Sequence, residues 1–457
     1  MNKKVILTLG ILIGIILGIL VGGSFVYLLF SSYGKQSSEY LVELEEVTDV
    51  SNDTEFVEEE LGEEYSQQGG SEQGVIERYL ESDCLPWTLE KIYVEGDLSQ
   101  YEEVVYRAKW WTQGEVPNQS EVWERTTIQI EDLITIEEVL QQQSQEVVNT
   151  TPYSEEDFKV VAYYPSWKIA GLEKLDFSVI THVIYSFAIP TSEGDLLPLE
   201  NPELARFIIE DAHRNQRKVL LAVGGWSYEE IPLEATFMEA TNAPEKITKL
   251  GDAIVAMCNE YGFDGVDMDW EHPRLDGVSA QRYEALMVYL SEELQKHDKL
   301  LTSAVISGVT AQGQIYYDAA AHTDKVLEVV DWIHVMAYDG GDGMSHSAYE
   351  FTLDCGIYWN QTRGLESKKV VLGVPFYARP SWATYEEILE TDPLAYSYDV
   401  SKYQGMDAYY NGVDTIIKKT EYAIEELGGI MIWEITQDTM IQEYSLLQAI
   451  KSVVISN

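Results

Sequence analysis

An α/β fold of the (β/α)8 barrel type is predicted for residues 158–457. Short apolar runs alternate there with amphipathic segments of helical period, which is the pattern of repeated βα units around a parallel sheet. Eight such runs in about 300 residues fit a closed barrel better than an open sheet. The predicted strands are residues 159–164, 179–188, 218–225, 265–270, 300–306, 332–338, 369–377 and 429–434.

A membrane-spanning helix is predicted for residues 5–30, an apolar run of 26 residues without a charge. This length is sufficient to cross a bilayer. Lys3 and Lys4 precede the run and acidic residues follow it, so residues 1–4 are expected in the cytoplasm and the rest of the chain outside the cell. The alternative is a signal peptide that is cleaved at "VGGS", which would make the protein secreted.

The chain is strongly acidic, with 30 Lys and Arg against 78 Asp and Glu and a formal net charge of −48. This charge disfavours nucleic acid and anionic membrane surfaces as partners and favours a neutral or cationic substrate. Residues 31–81 are predicted to be a flexible acidic stalk, because 12 acids fall between Glu39 and Glu64 and residues 39–76 contain no Lys or Arg.

The cysteines predict neither a disulfide framework nor a metal site. They are odd in number and far apart: Cys84, Cys258 and Cys355. Cys258 lies in an apolar helical segment and is expected to be a small buried residue.

The stretch "DGVDMDWE", residues 264–271, places acids at alternate positions of the fourth predicted strand. A strand points alternate side chains to opposite faces, so Asp267, Asp269 and Glu271 converge on one side. Mutual repulsion and burial would force at least one of these carboxyls to hold a proton, and such groups concentrate at functional sites. We interpret them as a catalytic cluster at the end of the strand where barrels place their chemistry. The alternatives are a cation site and a solvated edge strand.

These residues resemble glycoside hydrolase family 18, the chitinase family, whose fourth-strand motif D-x-x-D-x-D-x-E is complete here. Four further segments resemble family motifs in the family's order: "AVGGW" (222–226), "MAYD" (336–339), "GVPFYAR" (373–379) and "GGIMIWE" (428–434). The main departure is Ala222, which stands where the family's third-strand motif S-x-G-G has serine, and it puts one hydrogen bond near the acids in doubt.

The resemblance implies retaining, substrate-assisted cleavage of β-1,4 linkages in N-acetylglucosamine polymers. Glu271 would protonate the glycosidic oxygen and later deprotonate the water. Asp269 would accept the acetamide N–H and share a proton with Asp267, while Tyr338 would bind the acetamide oxygen. Asp264, at the start of the strand, is expected to be structural. No metal or organic cofactor is expected, and the protein is expected to be monomeric.

Other residues near strand ends are candidates for substrate binding. Trp433 would form an apolar floor beneath the reacting sugar, because the C–H face of a pyranose packs on an aromatic ring. The remaining candidates are Tyr163, Phe187, Trp226, Met336, Asp339 and Arg379.

The segment between Arg379 and Gly428 contains 48 residues, part of which reads as a turn and a helix. This leaves little room for the small α+β insertion that many deep-cleft relatives carry after the seventh strand. We therefore expect a comparatively open groove and endo-acting cleavage.

Residues 86–124 resemble the chitin-binding carbohydrate modules of families 5 and 12, through "AKWWTQG" and a final "WE". The resemblance implies a small all-β module over residues 82–130, followed by a linker over residues 131–157. Trp110 and Trp111 are adjacent, so both cannot face one small core, and at least one is expected to lie at the surface. One or both are expected to stack on sugar, and the alternative is that they fill the core of this small domain. The expected core aromatics are Trp87, Tyr93, Tyr106 and Trp123.

The predicted function is that of a surface-anchored, endo-acting chitinase with a chitin-binding module. One alternative is an endo-β-N-acetylglucosaminidase that acts on N-glycans or peptidoglycan by the same mechanism. A second is a non-catalytic lectin, which the presence of Glu271 disfavours.

Overall fold

The computed structural model describes a C-terminal stretch and shorter upstream segments. The described residues are 79–80, 84, 86–89, 91–93, 96–126, 128–130, 133–134, 158–168 and 170–456. The predicted membrane span, and nearly all of the predicted stalk and linker, lie outside these residues. Within the described part of the chain, no helix has both the length and the apolar character that a bilayer crossing requires.

The C-terminal stretch contains a closed barrel of eight parallel strands in which each strand pairs with the next and the last pairs with the first. The predicted barrel is thus confirmed. Its strands are β1 (Lys159–Pro165), β2 (His182–Ala188), β3 (Lys218–Gly224), β4 (Gly265–Asp269), β5 (Leu300–Ile306), β6 (Trp332–Met336), β7 (Val370–Pro375) and β8 (Gly429–Trp433).

Helices follow the strands and cover the outside of the barrel. Two of them, α1 and α3, begin with a proline, which suits the first helical turn because its missing N–H would be unsatisfied there. The α-helices are α1 (Pro202–Arg214), α2 (Glu234–Ala240), α3 (Pro244–Tyr261), α4 (Ser279–Gln295), α5 (Asp324–Val329), α6 (Tyr349–Ile357), α7 (Tyr385–Thr391), α8 (Val413–Glu426) and α9 (Leu446–Ser456). Shorter helical turns are Leu172–Lys174, Tyr317–Ala321, Tyr358–Thr362, Ser367–Lys369, Ala395–Ser397 and Ile435–Gln437.

Side chains alternate between the barrel interior and the layer beneath the helices. Val266, Met268 and Trp270 belong to the large cluster between strands and helices. A smaller apolar cluster fills the interior: Val161, Tyr163, Ile184, Leu220, Ala222, Trp332, Val371 and Met431. Asp267 contacts this inner cluster through Tyr163, so the predicted alternation of acidic and apolar faces along β4 is confirmed. As expected, Cys258 is buried in α3.

An insertion lies between β7 and β8, so the prediction of little room for one was wrong. Three short antiparallel strands, Arg379–Pro380, Val400–Tyr403 and Met406–Tyr409, form a sheet with α7 beside it. These strands have only two to four residues each, so the insertion fits into a short segment of the chain. With this insertion present, the segment after β7 supports neither an open groove nor endo-acting cleavage.

A second short excursion follows β3. It is a two-stranded hairpin in which Ser227–Tyr228 pairs with Ile231–Pro232.

The upstream segments contain a small all-β unit with two of the expected aromatic residues at its centre. Tyr93 and Trp123 are buried and contact edge to face, with ring centroids 4.9 Å apart. Trp87 and Tyr106 pack against them while staying partly exposed. The strands are Ile92–Tyr93, Leu98–Tyr101, Val104–Ala108, Thr112–Gln113 and Trp123–Arg125, and a parallel pair is formed by Tyr79–Leu80 and Leu133–Ile134.

Trp110 and Trp111 are both exposed, with 49% and 61% of their surface accessible. The expectation that at least one of them lies at the surface is therefore met by both. Neither ring contributes to the small core of this unit. The Lys109 ammonium lies over one face of the Trp110 ring, 4.9 Å from its centroid, and the rest of both rings is open to a ligand.

Candidate active site

Asp267 is the buried anchor of the acid cluster. Its Oδ2 accepts the Tyr163 hydroxyl at 2.6 Å, and its Oδ1 accepts the Thr302 hydroxyl at 2.5 Å. The same Oδ1 lies 3.0 Å from Nδ1 of His334. That nitrogen donates, because Nε2 of His334 accepts the indole N–H of Trp332 at 2.7 Å. Three donors from β1, β5 and β6 thus hold a carboxylate inside the barrel.

Asp269 is buried two residues further along β4. Its Oδ1 has no hydrogen-bond partner among the described residues. Burial, and then the charges of Glu271 and Asp267, raise its pKa well above the usual range. The described residues show no hydrogen bond between Asp267 and Asp269, so the shared proton stays a prediction. The site therefore holds an unused acceptor beside Glu271.

Glu271 lies just beyond the end of β4, with 16% of its side chain exposed. Burial, and then the charge of Asp339, raise its pKa to about 7. Nε2 of His272 is 3.4 Å from a Glu271 oxygen, and burial with the nearby Arg274 lowers the pKa of His272 to about 4. Glu271 is thus a partly accessible acid that keeps its proton in about half of the molecules at neutral pH, and a general acid needs this protonated form.

Asp339 follows β6 and is held by residues of two loops. Nδ1 of His346 accepts its backbone N–H at 3.2 Å and lies 3.1 Å from its Oδ1, while Nε2 of His346 faces the Tyr377 carbonyl oxygen at 3.2 Å. Although burial acts in the opposite direction, His346, Tyr377 and Arg379 together lower the pKa of Asp339. A fixed negative charge therefore faces Glu271.

Replacing Asp339 by Asn should change the pH dependence of activity. The charge of Asp339 favours the protonated form of Glu271, so its removal should lower the pKa of Glu271 from about 7. The alkaline limb of kcat/KM against pH should then move to lower pH in Asp339→Asn. An unchanged limb would contradict the assignment of Asp339 as the charge that acts on Glu271.

The Tyr338 ring is half-buried beside the acids. Burial, and then the charges of Asp269 and Glu271, raise its pKa well above the usual range. The hydroxyl thus keeps its proton and can donate a hydrogen bond.

Aromatic rings lie together at the ends of β1, β2 and β8. Trp433 is half-exposed, with the Phe187 ring centroid 5.9 Å away and the Tyr163 ring edge-on at 5.4 Å. Trp167 stacks on Phe187 at 6.2 Å and is 51% exposed. Tyr163 is only 2% exposed, which places it behind this aromatic floor and in contact with Asp267 rather than on an open surface.

The other predicted substrate residues occupy different surroundings. Met336 is the half-buried last residue of β6. Trp226 is 62% exposed at the start of the hairpin that follows β3. Arg379 donates two hydrogen bonds to Oδ1 of Asp342, at 2.6 and 2.9 Å.

Ala222, where the family motif has serine, faces Asp267 from β3, while Thr302 faces Asp267 from β5. Thr302, on the other side of β4, thus supplies Asp267 with a hydroxyl, which Ala222 cannot do. Gly224 is the last residue of β3, two positions after Ala222. It permits the close approach of β3 to β4, since a Cβ at Gly224 would lie 2.2 Å from the backbone oxygen of Asp269.

Thr302→Val should lower kcat by roughly 10- to 100-fold, because a hydrogen bond to a charged group contributes about 1.5–3 kcal/mol. Adding Ala222→Ser should restore much of the activity in the double variant, since it supplies a hydroxyl from the other side of Asp267. Steady-state kinetics of the four proteins measure both effects. A double variant no better than Thr302→Val would show that the hydroxyl does not act through Asp267.

Asp264 has a structural position, as expected. Its Oδ2 accepts the backbone N–H of Val219 and lies 2.8 Å from Nε2 of His213. It ties the start of β4 to β3, away from the other acids.

Three residues with clear roles were not predicted: Thr302, His334 and His346. His334 had a usable signal, because it alternates with Met336 and Tyr338 along one face of an apolar strand. Thr302 and His346 had none, since nothing local distinguishes them from ordinary polar residues.

A barrel with this acid motif and aromatic floor defines a class of enzymes that act on sugar polymers. Residues 159–438 match the family model "Glycosyl hydrolases family 18", and the chain belongs to this family. Residues 86–124 match the model of carbohydrate-binding module family 5/12. The two resemblances noted in the sequence are thereby confirmed.

Relatives agree with this assignment. The chain is 30% identical over 256 residues to Chitotriosidase-1 of Mus musculus, covering 48% of this chain and 53% of that protein. It is 24% identical over 372 residues to "Probable chitinase 10" of Drosophila melanogaster, covering 64% of this chain and 16% of that protein. The chain thus spans only part of these curated relatives.

A solved structure shares the fold over most of its length. The crystal structure of a family 18 chitinase from Flavobacterium johnsoniae has a TM-score of 0.56 and 27% sequence identity, covering 66% of this chain and 94% of that one.

Proposed function

We propose that this protein hydrolyses β-1,4 linkages in N-acetylglucosamine polymers, with chitin as substrate, by a retaining mechanism in which the substrate's acetamide is the nucleophile. The observation that carries this proposal is the pair formed by Glu271 and Asp269. Glu271 is an acid with a pKa of about 7, and Asp269 beside it has a buried oxygen without a partner among the described residues.

Glu271 acts first as the general acid. Its proton goes to the glycosidic oxygen as the bond to the anomeric carbon breaks. The carboxylate that remains then accepts a proton from the water that opens the intermediate. A pKa of about 7 suits both steps near neutral pH.

Asp269 and Tyr338 orient the acetamide. The unpartnered Oδ1 of Asp269 accepts the acetamide N–H, and an acceptor oxygen remains on this carboxyl in either protonation state. The Tyr338 hydroxyl, which keeps its proton, donates to the acetamide oxygen and aims it at the anomeric carbon. The acetamide oxygen closes a ring when it bonds to the anomeric carbon, and this ring carries a positive charge. The neighbouring acids stabilise that charge.

The upstream module supports chitin as the substrate. Its two exposed tryptophans provide flat apolar surfaces for sugar faces, and a tether raises the local concentration of an insoluble polymer at the barrel. Endo-acting cleavage stays a prediction. It was expected from an open groove without an insertion after β7, and the insertion is present.

We also propose that residues 5–30 anchor the protein in the cell membrane with the catalytic domain outside. The support is the uncharged apolar run with lysines before it and acids after it. Cell fractionation tests this: the full chain should sediment with membranes and should be cleaved by protease added to intact cells. Recovery in the medium with an N-terminus beyond residue 24 would show secretion instead.

Product analysis tests the activity. The full chain in detergent is incubated in parallel with colloidal chitin, peptidoglycan and a high-mannose glycoprotein, and products are identified by mass spectrometry. Oligomers from chitin alone, with the β-anomer formed first by NMR, are the expected result. Products from either of the other substrates would move the substrate while keeping the chemistry, and no product from any of them would contradict the proposal.

A further inference from the structure

Trp382 has an unusual backbone conformation in the loop that follows β7. Its φ is +59°, in the left-handed region that a bulky side chain rarely adopts. Such conformations persist where the surrounding structure imposes them, and they concentrate at functional sites.

Backbone contacts close the loop and impose the conformation. The N–H of Trp382 donates to the Ala378 carbonyl at 3.0 Å, and the Ala378 N–H donates to the Ala383 carbonyl at 2.9 Å. Tyr377 and Thr384 pair across the base of the loop. Thr384 also begins α7 with a capping box that involves Glu387. The loop is therefore anchored at both ends and presents Trp382 at a fixed position.

The Trp382 ring is exposed but held in orientation. It is 61% exposed, and it lies parallel to the Tyr377 ring, with 4° between the planes and 5.6 Å between centroids. The Arg379 guanidinium is 3.9 Å from the ring centroid and is itself tied to Asp342. An exposed aromatic ring with its orientation fixed in advance loses little freedom when a ligand stacks on it.

Tyr377 connects this ring to the catalytic residues. Its hydroxyl interacts with the Asp339 carboxylate, and its ring meets the Tyr338 ring edge-on at 6.5 Å between centroids. Trp382 is thus one aromatic ring removed from the residues proposed to hold the reacting sugar. The polar groups of Arg379 and Asp342 beside it can reach sugar hydroxyls while the ring covers a C–H face.

We propose that Trp382 is a binding platform for an N-acetylglucosamine unit that lies outside the reacting position of the same polymer chain. This inference rests on the proposed function. It assigns a role to a tryptophan that belongs to none of the residues discussed above as binding or catalytic.

The test compares substrates of increasing length. Wild type, Trp382→Ala, Trp382→Tyr and the control Ile455→Ala, each as the full chain, are assayed on soluble chitooligosaccharides of two to six units. Ile455 is 60% exposed near the end of α9, which returns toward the amino ends of the strands and away from the site.

For Trp382→Ala, kcat/KM should fall roughly five- to tenfold once the substrate is long enough to reach the platform, and little for shorter ones. Trp382→Tyr should recover most of this loss, and Ile455→Ala should match wild type at every length. A loss in Trp382→Ala that is equal at all lengths, or absent at all lengths, would overturn the proposal. Absence of hydrolysis by the wild type would instead overturn the proposed function.

Discussion

Glu271→Gln should abolish hydrolysis, with kcat reduced by at least about a thousandfold. General acid catalysis contributes roughly 10²–10⁴-fold, and this residue serves as acid and then as base. Gln keeps the shape of the side chain but can neither give nor accept the proton. Mass spectrometry of products from soluble oligomers measures the loss. Substantial turnover by the variant would mean that another group supplies the proton.

The same variant should bind chitin as well as the wild type, because the upstream module is unchanged.

Glu271→Gln should also be more stable than the wild type above neutral pH. The pKa of Glu271 in the folded protein is about 7, above its ordinary value of 4.5. Between these values the folded state binds more protons than the unfolded chain, so wild-type stability falls as pH rises from 4.5 through 7. Gln carries no charge and avoids this loss. Melting temperatures of the two proteins should therefore be close below pH 4.5, separate progressively between pH 4.5 and about 7, and stay separated above that. Equal separation at all pH values would contradict the raised pKa.

Replacing Trp110 and Trp111 together by Ala should weaken adsorption to insoluble chitin by roughly 30-fold or more. A tryptophan that acts as an anchor of a binding surface costs about 2 kcal/mol or more when it is truncated, and these two rings are the expected anchors. Both rings are largely exposed, so their removal should leave the fold intact. Depletion from solution over a range of chitin concentrations measures the effect.

The control for this variant is cleavage of soluble oligomers, which should stay near the wild-type rate because the barrel is untouched. Trp123→Ala is a matched contrast, since Trp123 is buried beside Tyr93 and its loss should unfold the module instead. Unchanged adsorption by the Trp110/Trp111 variant would remove chitin binding from these residues.

The barrel could be predicted from the sequence because buried parallel strands are continuous apolar runs between amphipathic helices. Errors at the boundaries have physical causes. The second run was predicted from residue 179 but β2 begins at His182, since Val179 and Ile180 are buried in a turn rather than in the strand. The insertion after β7 was missed because its strands have only two to four residues each and are partly exposed.

The acids could be predicted because carboxylates at alternate positions of an apolar strand are unusual. Their partners could be predicted only in part. Alternation along an apolar strand places His334 on the same face as Tyr338, but no local pattern shows that His334 and Thr302 donate to Asp267, because the barrel alone brings β5 and β6 to that carboxylate. Trp382 was missed for a similar reason, since an exposed tryptophan in a loop differs from a buried one only in the folded protein.

The three donors to Asp267 also bear on how the protein acquires its activity. They come from 104, 35 and 67 residues away along the chain, so the carboxylate is not fully held until the first strand has joined the sheet. A fragment that lacks β1 would keep Glu271 and yet leave a buried charge without one of its donors. During refolding, catalytic activity should therefore return later than helical content, because activity requires that β1 closes the barrel whereas helical content does not.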